Sequence, residues 1–371
     1  MIKVSQGCLD EAELAAVREV FAAGYFGHSA PVVEFEQALG KYLGAAHVVA
    51  VNTGTSALHL ALDAIGIGPG DEVVVPSLTY VACFQAISAT GARPVACEIH
   101  PSTLSVDVAD MERRITPRTR ALMPVHYAGA SCDLDSLTAI ATARRLHVVE
   151  DAAHALGSTR NGRRVGGTGE VACFSFDSIK NITCGEGGAI ACRDGALAES
   201  LREKRQLGVR RDSGGAAPGA PRGVAFDVVT QGFRYHLSAI NAAIGRVQLS
   251  KLERFVERRR AICGRYDDAF RPIGMVRPLD VDYRDAAPHI YVVRVGGGRR
   301  DALMRFLRDA DIETGINYAP NHLHAYYRQE GVSLPVTEAV SREILTLPLH
   351  CALSDADVER VIDEVRRFAR S

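Results

Sequence analysis

The stretch Cys173-Phe-Ser-Phe-Asp-Ser-Ile-Lys180-Asn-Ile-Thr-Cys-Gly-Glu-Gly-Gly188 places one lysine after an apolar run and follows it with a glycine-rich turn. Strands are predicted on both sides, over residues 171–176 and 188–192. A lysine held between two strands can be partly desolvated, which lowers its pKa and favours the neutral amine that forms an imine. Imine-forming lysines point to pyridoxal phosphate. The simpler alternative is a strand-end lysine whose amine reaches solvent.

Upstream, Leu146-His-Val-Val-Glu-Asp151-Ala-Ala-His154-Ala-Leu-Gly157 is a short apolar strand that ends in an acid pair. Open α/β sheets bind their ligands at the carboxyl ends of strands. The carboxylate of Asp151 can pair there with a protonated pyridine nitrogen, and His154 can meet the ring hydroxyl. Glu150 is predicted to face the other side of the strand. Alternatively, Asp151 only caps the next helix.

A third segment, Val48-Val-Ala-Val-Asn-Thr-Gly54-Thr55-Ser56-Ala-Leu-His-Leu-Ala-Leu62, turns from an apolar strand into a helix. Free amides at such a helix start bind phosphate, and the two hydroxyls add donors, although both are also ordinary helix caps. The turn lacks the dinucleotide fingerprint and the Gly-Lys-Thr phosphate loop, so a nicotinamide enzyme or a nucleotide hydrolase gains no support. Tyr80 follows the next strand, where it can stack on a cofactor ring or belong to the core.

In their order along the chain, these motifs resemble the DegT family of fold-type I, pyridoxal-phosphate-dependent sugar aminotransferases. The most specific likeness lies in Glu150-Asp-Ala-Ala-His-Ala-Leu-Gly157 and in the stretch from Phe174 to Gly188. The resemblance extends over nearly the whole chain.

The resemblance implies a role for each motif position. Lys180 is the Schiff-base lysine, and Asp151 pairs with the pyridine nitrogen. His154 meets the ring hydroxyl, while Ser175 and the turn over residues 54–56 hold the phosphate.

Three further segments resemble the branch that aminates C4 of nucleotide-linked keto sugars, of the 4-amino-4-deoxy-arabinose aminotransferase type: Pro124-Val-His-Tyr-Ala-Gly129, Lys180-Asn-Ile-Thr-Cys184 and Gly232-Phe-Arg-Tyr-His-Leu-Ser238-Ala-Ile-Asn-Ala-Ala243. This implies an amino donor, glutamate, and a product used in surface polysaccharide (lipopolysaccharide) or a glycosylated metabolite. Alternatives are amination of a 3-keto sugar or keto-cyclitol, and a non-catalytic cofactor-binding regulator. In dehydratase-like relatives a histidine replaces the lysine, so Lys180 argues against that class.

Fold-type I enzymes place their cofactors at a dimer interface, so the resemblance also implies a homodimer. Arg234 stands where many family members carry asparagine, in a segment that reaches the cofactor phosphate of the neighbouring subunit. A cation there can still contact that phosphate, whereas the alternative is an arginine in a surface loop. Further along, Tyr318, His322 and His324 concentrate donors that could hold a sugar or diphosphate, although locally satisfied loop histidines would give the same pattern.

Composition agrees with an enzyme of this size without selecting its function. A chain of 371 residues with 47% apolar content predicts about two domains. We expect a large pyridoxal-phosphate-binding domain over residues 1–245, with a mostly parallel seven-stranded sheet between helices, and a smaller C-terminal α/β domain over 246–371. Lys plus Arg number 43 and Asp plus Glu 44, so no basic field for nucleic acid exists.

Nine cysteines without a Cys-x-x-Cys pair or paired Cys/His spacing predict no metal site and reduced thiols, and hence a cytoplasmic protein. No apolar run reaches the ~18 residues that a membrane span needs. The Gly-, Ala- and Pro-rich stretch 212–222 predicts a loop. The seven predicted sheet strands are residues 48–52, 72–75, 94–99, 121–125, 147–150, 172–176 and 189–192.

Overall fold

A computed structural model of the chain describes residues 1–211, 226–328 and 331–371. The helices are α1 Glu11–Ala23, α2 Ala30–Leu43, α3 Gly54–Ala64, α4 Ala82–Ala89, α5 Val108–Arg113, α6 Leu134–Arg144, α7 Gly195–Lys204, α8 Ala239–Phe270, α9 Arg300–Asp309, α10 Pro335–Ser341 and α11 Asp355–Arg370. The strands are β1 His47–Val51, β2 Glu72–Pro76, β3 Arg93–Cys97, β4 Thr119–Leu122, β5 His147–Asp151, β6 Thr159–Arg160, β7 Arg163–Arg164, β8 Val171–Ser175, β9 Gly188–Cys192, β10 Val209–Arg211, β11 Phe226–Val228, β12 Val276–Pro278, β13 Tyr291–Val295 and β14 Ile344–Leu347.

Seven strands form the main sheet, in the order β1-β9-β8-β5-β4-β2-β3. Pairing is parallel from β8 to β3, and β9 is antiparallel to both of its neighbours, β8 and β1. All strands but β9 therefore run in one direction. The fold is the α/β architecture with a mostly parallel sheet that the sequence predicts.

Helices cover both faces of this sheet, which explains why its strands are apolar along nearly their whole length. In β1, Val49 and Val51 pack into the core with α3, α4 and α7, while Val48 and Ala50 point to the opposite core with α2 and α8. This alternation is the two-residue period of a strand buried on both faces.

The C-terminal part has its own core around the antiparallel sheet β12-β13-β14, packed with α9, α11 and the end of α8. Helix α8 is continuous from Ala239 to Phe270, so the predicted boundary between residues 245 and 246 falls inside it. Its N-terminal half packs on the main sheet and its C-terminal half on the small one. The division into two domains stays a prediction.

The seven predicted sheet strands are all present, with ends that differ by at most three residues. The largest difference is in β4, which ends at Leu122 rather than at residue 125. The predicted loop 212–222 lies outside the described residues. Over the described part of the chain, no helix is long and apolar enough to cross a bilayer, and no cluster of three or more side chains suits a metal ion.

Candidate active site

The motif residues meet at one edge of the main sheet. Because β1, β2, β5 and β8 run in the same direction, their carboxyl ends lie at this edge. The start of β9 is there too, since Gly188 pairs with Val51 on one side and with Ser175 on the other. The sheet thus brings together chain segments that are up to about 140 residues apart in sequence.

Lys180 lies on the connection between β8 and β9, and its side chain is half-buried. Its backbone N–H donates to the carbonyl of Asp177 at 3.1 Å, which closes a tight turn. Burial lowers the pKa of the Lys180 amine, and the carboxylates of Asp151 and Asp177 partly oppose that shift. The amine is therefore easier to deprotonate than that of a surface lysine.

Asp151 is the last residue of β5 and is buried. Its Oδ2 accepts a hydrogen bond from the Cys83 thiol at 2.8 Å, and its Oδ1 accepts from the backbone N–H of Ala153 at 3.0 Å. Both partners leave acceptor capacity on the carboxylate, which can take up to about four hydrogen bonds. Cys83, on α4, carries no motif signal in the sequence.

His154 is buried, and its Nε2 is 2.9 Å from the Tyr318 hydroxyl. Burial, reinforced by the nearby Lys180 amine, lowers the pKa of His154 well below its usual range. The imidazole of His289 packs against it with ring centroids 4.4 Å apart, and burial lowers its pKa in the same way. Both imidazoles are therefore neutral at physiological pH, and the Nδ1 atom of each is buried without a hydrogen-bond partner among the described residues.

The turn between β1 and α3 is built around its cap. Thr53 caps α3 by accepting from the Ser56 N–H at 3.0 Å, so the amides of Gly54 and Thr55 are the first free donors of the helix. A Cβ on Gly54 would lie 2.7 Å from the Cβ of Ser175. Only glycine lets the helix start approach the end of β8 this closely.

Two tyrosines from distant parts of the chain meet at the same edge. Tyr80 follows β2, is 56% exposed and packs against Tyr318 with ring centroids 5.6 Å apart. Tyr318 in turn contacts His154. Tyr80, Tyr318 and His154 thus form a continuous row of rings at this edge.

Three further predicted residues are either exposed or hydrogen-bonded to other groups. Arg234 is exposed, and its backbone forms an isolated antiparallel bridge with Gln206. His324 is also exposed. His322 is buried, with Nδ1 2.7 Å from the Ser77 hydroxyl and Nε2 3.2 Å from the Glu338 carboxylate. These contacts occupy both ring nitrogens of His322, and a contact of His322 with substrate stays a prediction.

The sequence did not identify the residues that hold the loop between β8 and β9, which contains Lys180 and is called the lysine loop below. Arg259, in α8, donates from Nη1 to the Asn181 side chain at 2.6 Å, and its Nη2 lies 3.5 Å from the Lys180 carbonyl. Asn181 donates to the carbonyl of Leu156 at 3.0 Å. In the sequence, Arg259 belongs to an arginine-rich helix face, so nothing there distinguishes it from a solvated residue.

Residues 7–366 match the DegT/DnrJ/EryC1/StrS aminotransferase family. The chain belongs to this family. Among solved structures, aminotransferase TlmJ from Streptoalloteichus hindustanus is 40% identical, with a TM-score of 0.92 over 99% of this chain and 98% of that one. Sugar aminotransferase CalS13 from Micromonospora echinospora is 32% identical, with a TM-score of 0.91 over 99% and 100%. Spr1654 from Streptococcus pneumoniae, in its PMP form, is 29% identical, with a TM-score of 0.94 over 100% and 99%.

The DegT/StrS family member described here is a sugar aminotransferase that uses pyridoxal phosphate. Its site fits that cofactor on three observations: the glycine cradle at Gly54 beside free amides, the neutral His154 with an unpartnered Nδ1, and the buried Asp151 carboxylate. They match a phosphate, a ring hydroxyl and a cationic ring nitrogen, respectively.

Proposed function

We propose that this sugar aminotransferase transfers an amino group from L-glutamate to C4 of a nucleotide-linked 4-keto sugar, as a cytoplasmic homodimer. One observation carries the proposal most: the half-buried amine of Lys180 lies beside the carboxylate of Asp151 and the neutral imidazole of His154. A desolvated amine next to a buried carboxylate supports proton transfer at neutral pH.

We assign the cofactor contacts from the family resemblance, supported by the positions of the motif residues at the sheet edge. Asp151 would pair with the pyridine nitrogen, His154 with the ring hydroxyl and Tyr80 with the ring face, while Ser175 and the turn of residues 54–56 would hold the phosphate. Bound in this way, pyridoxal phosphate supplies an electron sink for the substrate carbon that bears nitrogen.

Lys180 is the group we assign to proton transfer. Burial lowers the pKa of its Nζ, which favours the neutral amine that accepts the proton from the amino-bearing carbon of the donor. Once protonated, the ammonium is stabilised by the carboxylates of Asp151 and Asp177 until it returns the proton. The same group can thus serve both halves of an amino transfer.

The ring position and the sugar contacts rest on the motif segments. The segments that begin at Pro124, Lys180 and Gly232 support C4, and Tyr318 supports a sugar contact because its ring borders the site. We add His324 as an exposed donor nearby in sequence. Nucleotide linkage follows from the same resemblance.

The homodimer is supported by exposed apolar side chains. Leu207, Phe226, Val228 and Val229 are 37% to 60% exposed and lie on or beside the β10–β11 hairpin. We call this surface the hairpin face. Arg234 is in the next segment, so a partner that covers the hairpin face would bring Arg234 towards the second site. Nine free cysteines support the cytoplasmic location.

The decisive experiment is an absorbance titration of the purified protein with pyridoxal phosphate, followed by glutamate and then by matched nucleotide-linked 4-keto and 3-keto sugars. We expect a visible band that glutamate bleaches and a 4-keto sugar restores. Lys180→Ala serves as the control because it should form no such band.

If only a 3-keto sugar or a keto-cyclitol restores the band, that compound is the amino acceptor, and the assignment to C4 is overturned. A band that no amino acid bleaches would instead indicate the non-catalytic regulator.

A further inference from the structure

Two of the nine cysteines differ from the rest in their exposure. Seven are buried, whereas Cys8 and Cys351 are only half-buried. Cys8 precedes α1, and Cys351 lies between β14 and α11. Both line one cavity of about 510 Å³, and each thiol shifts the pKa of the other, so the two side chains are close neighbours. The segment before α1 and the loop after β14 therefore contribute one partly exposed thiol each to the same cavity.

Arg259 connects this pair to the active site. Its side chain is buried, interacts with the sulfur of Cys351 and also holds the Asn181 side chain and the Lys180 carbonyl. The Nε of Arg259 has no hydrogen-bond partner among the described residues. The same guanidinium thus faces a sulfur on one side and the lysine loop on the other.

The environment selects which sulfur reacts first. The hydrogen bond from Cys8 and the positive charge of Arg259 lower the pKa of the Cys351 thiol, while the pKa of Cys8 is raised. A thiolate is the reactive form of cysteine. This difference favours Cys351 as the nucleophile and Cys8 as the resolving thiol.

We propose that Cys8 and Cys351 are a redox-active dithiol that a hydroperoxide converts to a disulfide, and that this bond slows the aminotransferase through Arg259. The Cys351 thiolate attacks the peroxide oxygen, which breaks the O–O bond and leaves a sulfenic acid plus water or an alcohol. The Cys8 sulfur then attacks the Cys351 sulfur and expels water. Two thiols are oxidised while one peroxide is reduced.

The bond has two physical effects. It removes the negative charge that faces Arg259, and it ties the N-terminal segment to the loop after β14. That segment already pairs with the loop, because the Leu349 N–H donates to the Val4 carbonyl at 3.0 Å. We therefore expect the backbone there to change little and Arg259 to change most, and with Arg259 the loop of Lys180.

The test for the bond is peptide mapping after hydrogen peroxide treatment and alkylation of the remaining thiols. We expect a Cys8–Cys351 linked peptide that dithiothreitol removes. Cys8→Ser should give no link and should leave Cys351 as a sulfenic acid that dimedone traps. Cys97→Ser, which removes a buried thiol, is the matched control and should still form the link. If both thiols stay free for alkylation in treated wild type, the proposal fails.

The second readout is the rate of amino transfer, and it rests on the proposed role of Lys180. We expect at least about a fivefold lower kcat in the linked protein, restored by dithiothreitol, and no change when peroxide is added to Cys351→Ser, which lacks the thiolate that faces Arg259. An unchanged kcat in fully linked protein would overturn the effect through Arg259. If the proposed function itself fails, no sample transfers an amine, whereas the linked peptide still forms.

Discussion

At the residue scale, burial decides the charge of the active-site groups more than their neighbours do. Burial is the largest influence on the pKa of Lys180, His154 and His289, and it lowers all three. The carboxylate of Asp151 opposes this shift only for Lys180. A neutral imidazole pair beside an easily deprotonated amine therefore follows from the dry environment at the sheet edge.

Removing the amine of Lys180 or the carboxylate of Asp151 should lower the rate of amino transfer while the protein still folds. We expect Lys180→Ala to reduce the rate of amino transfer by at least about 10⁴-fold, the upper end of what general acid–base groups contribute. Asp151→Asn should also lose most of its rate. Stopped-flow measurement of the glutamate half-reaction checks both. Tyr80→Phe, which keeps the ring, is the control and should stay near wild type. Substantial turnover by Lys180→Ala would contradict the mechanism.

The histidine pair predicts a pH dependence of stability. In the folded chain His154 and His289 titrate well below 6.5, whereas in the unfolded chain they titrate near that value. The unfolded state binds more protons below pH 6.5, so the free energy of unfolding falls as the pH falls, by up to about 1.4 kcal/mol per unit for each histidine. Urea unfolding between pH 5 and 7 should show a shallower slope for His289→Asn than for wild type. The exposed His324→Asn should leave the slope unchanged, and equal slopes for all three proteins would contradict the argument.

What the sequence reveals at this scale depends on where the partner residue lies. Lys180, Asp151 and His154 sit in contiguous motifs, so local spacing identifies them. Cys83 and His289 reach the site from α4 and from the segment before β13, and only the folded sheet brings them there. The contacts of His322 likewise join segments about 245 and 16 residues apart.

At the element scale, the start of α3 depends on one missing Cβ. Gly54→Ala would place a methyl group 2.7 Å from the Cβ of Ser175, so the helix or the end of β8 must shift. We expect about 1–3 kcal/mol of destabilisation and weaker binding of pyridoxal phosphate, measured by urea unfolding and absorbance titration. Gly264→Ala in α8, where nothing lies within 4 Å, is the matched control and should be neutral or stabilising. Equal cofactor affinity and equal stability in Gly54→Ala and Gly264→Ala would contradict the argument that the phosphate turn requires glycine at position 54.

His322 connects the loop after β2 to α10 through Ser77 and Glu338. We expect His322→Ala to lower the free energy of unfolding by about 1–3 kcal/mol, since Ser77 loses a buried hydrogen bond and Glu338 a partly buried one, and to leave the KM for the sugar within a factor of about two. Unfolding and steady-state kinetics measured on the same preparation check this. A KM that rises tenfold with unchanged stability would instead favour the predicted substrate contact.

At the scale of the whole molecule, the hairpin face predicts a dimer. Size-exclusion chromatography with light scattering should give twice the chain mass of 39.9 kDa. Phe226→Asp should shift the protein to monomer because it places a charge on that face. Arg234→Ala should leave the dimer intact and weaken pyridoxal phosphate about tenfold, whereas the exposed Arg284→Ala should do neither. A monomeric wild type that binds cofactor with full affinity would contradict the shared site.

The overall architecture was predictable because its strands and helices carry strong local patterns. All seven strands of the main sheet were found from apolar runs and motif turns. The relation between the two halves was not, because α8 shows one continuous helical pattern while its two ends pack on different cores. The sequence of α8 therefore does not show at which residue one domain ends and the other begins.

The reversed strand β9 also has a consequence for the order in which the protein assembles. It pairs with β8 through a short hairpin that contains Lys180, whereas its pairing with β1 must wait for a long loop to close. Short-range contacts form faster than long-range ones. We therefore expect the loop that contains Lys180 to form early in folding and the phosphate turn to join it late, so that the affinity for the cofactor develops only in the last stage of assembly.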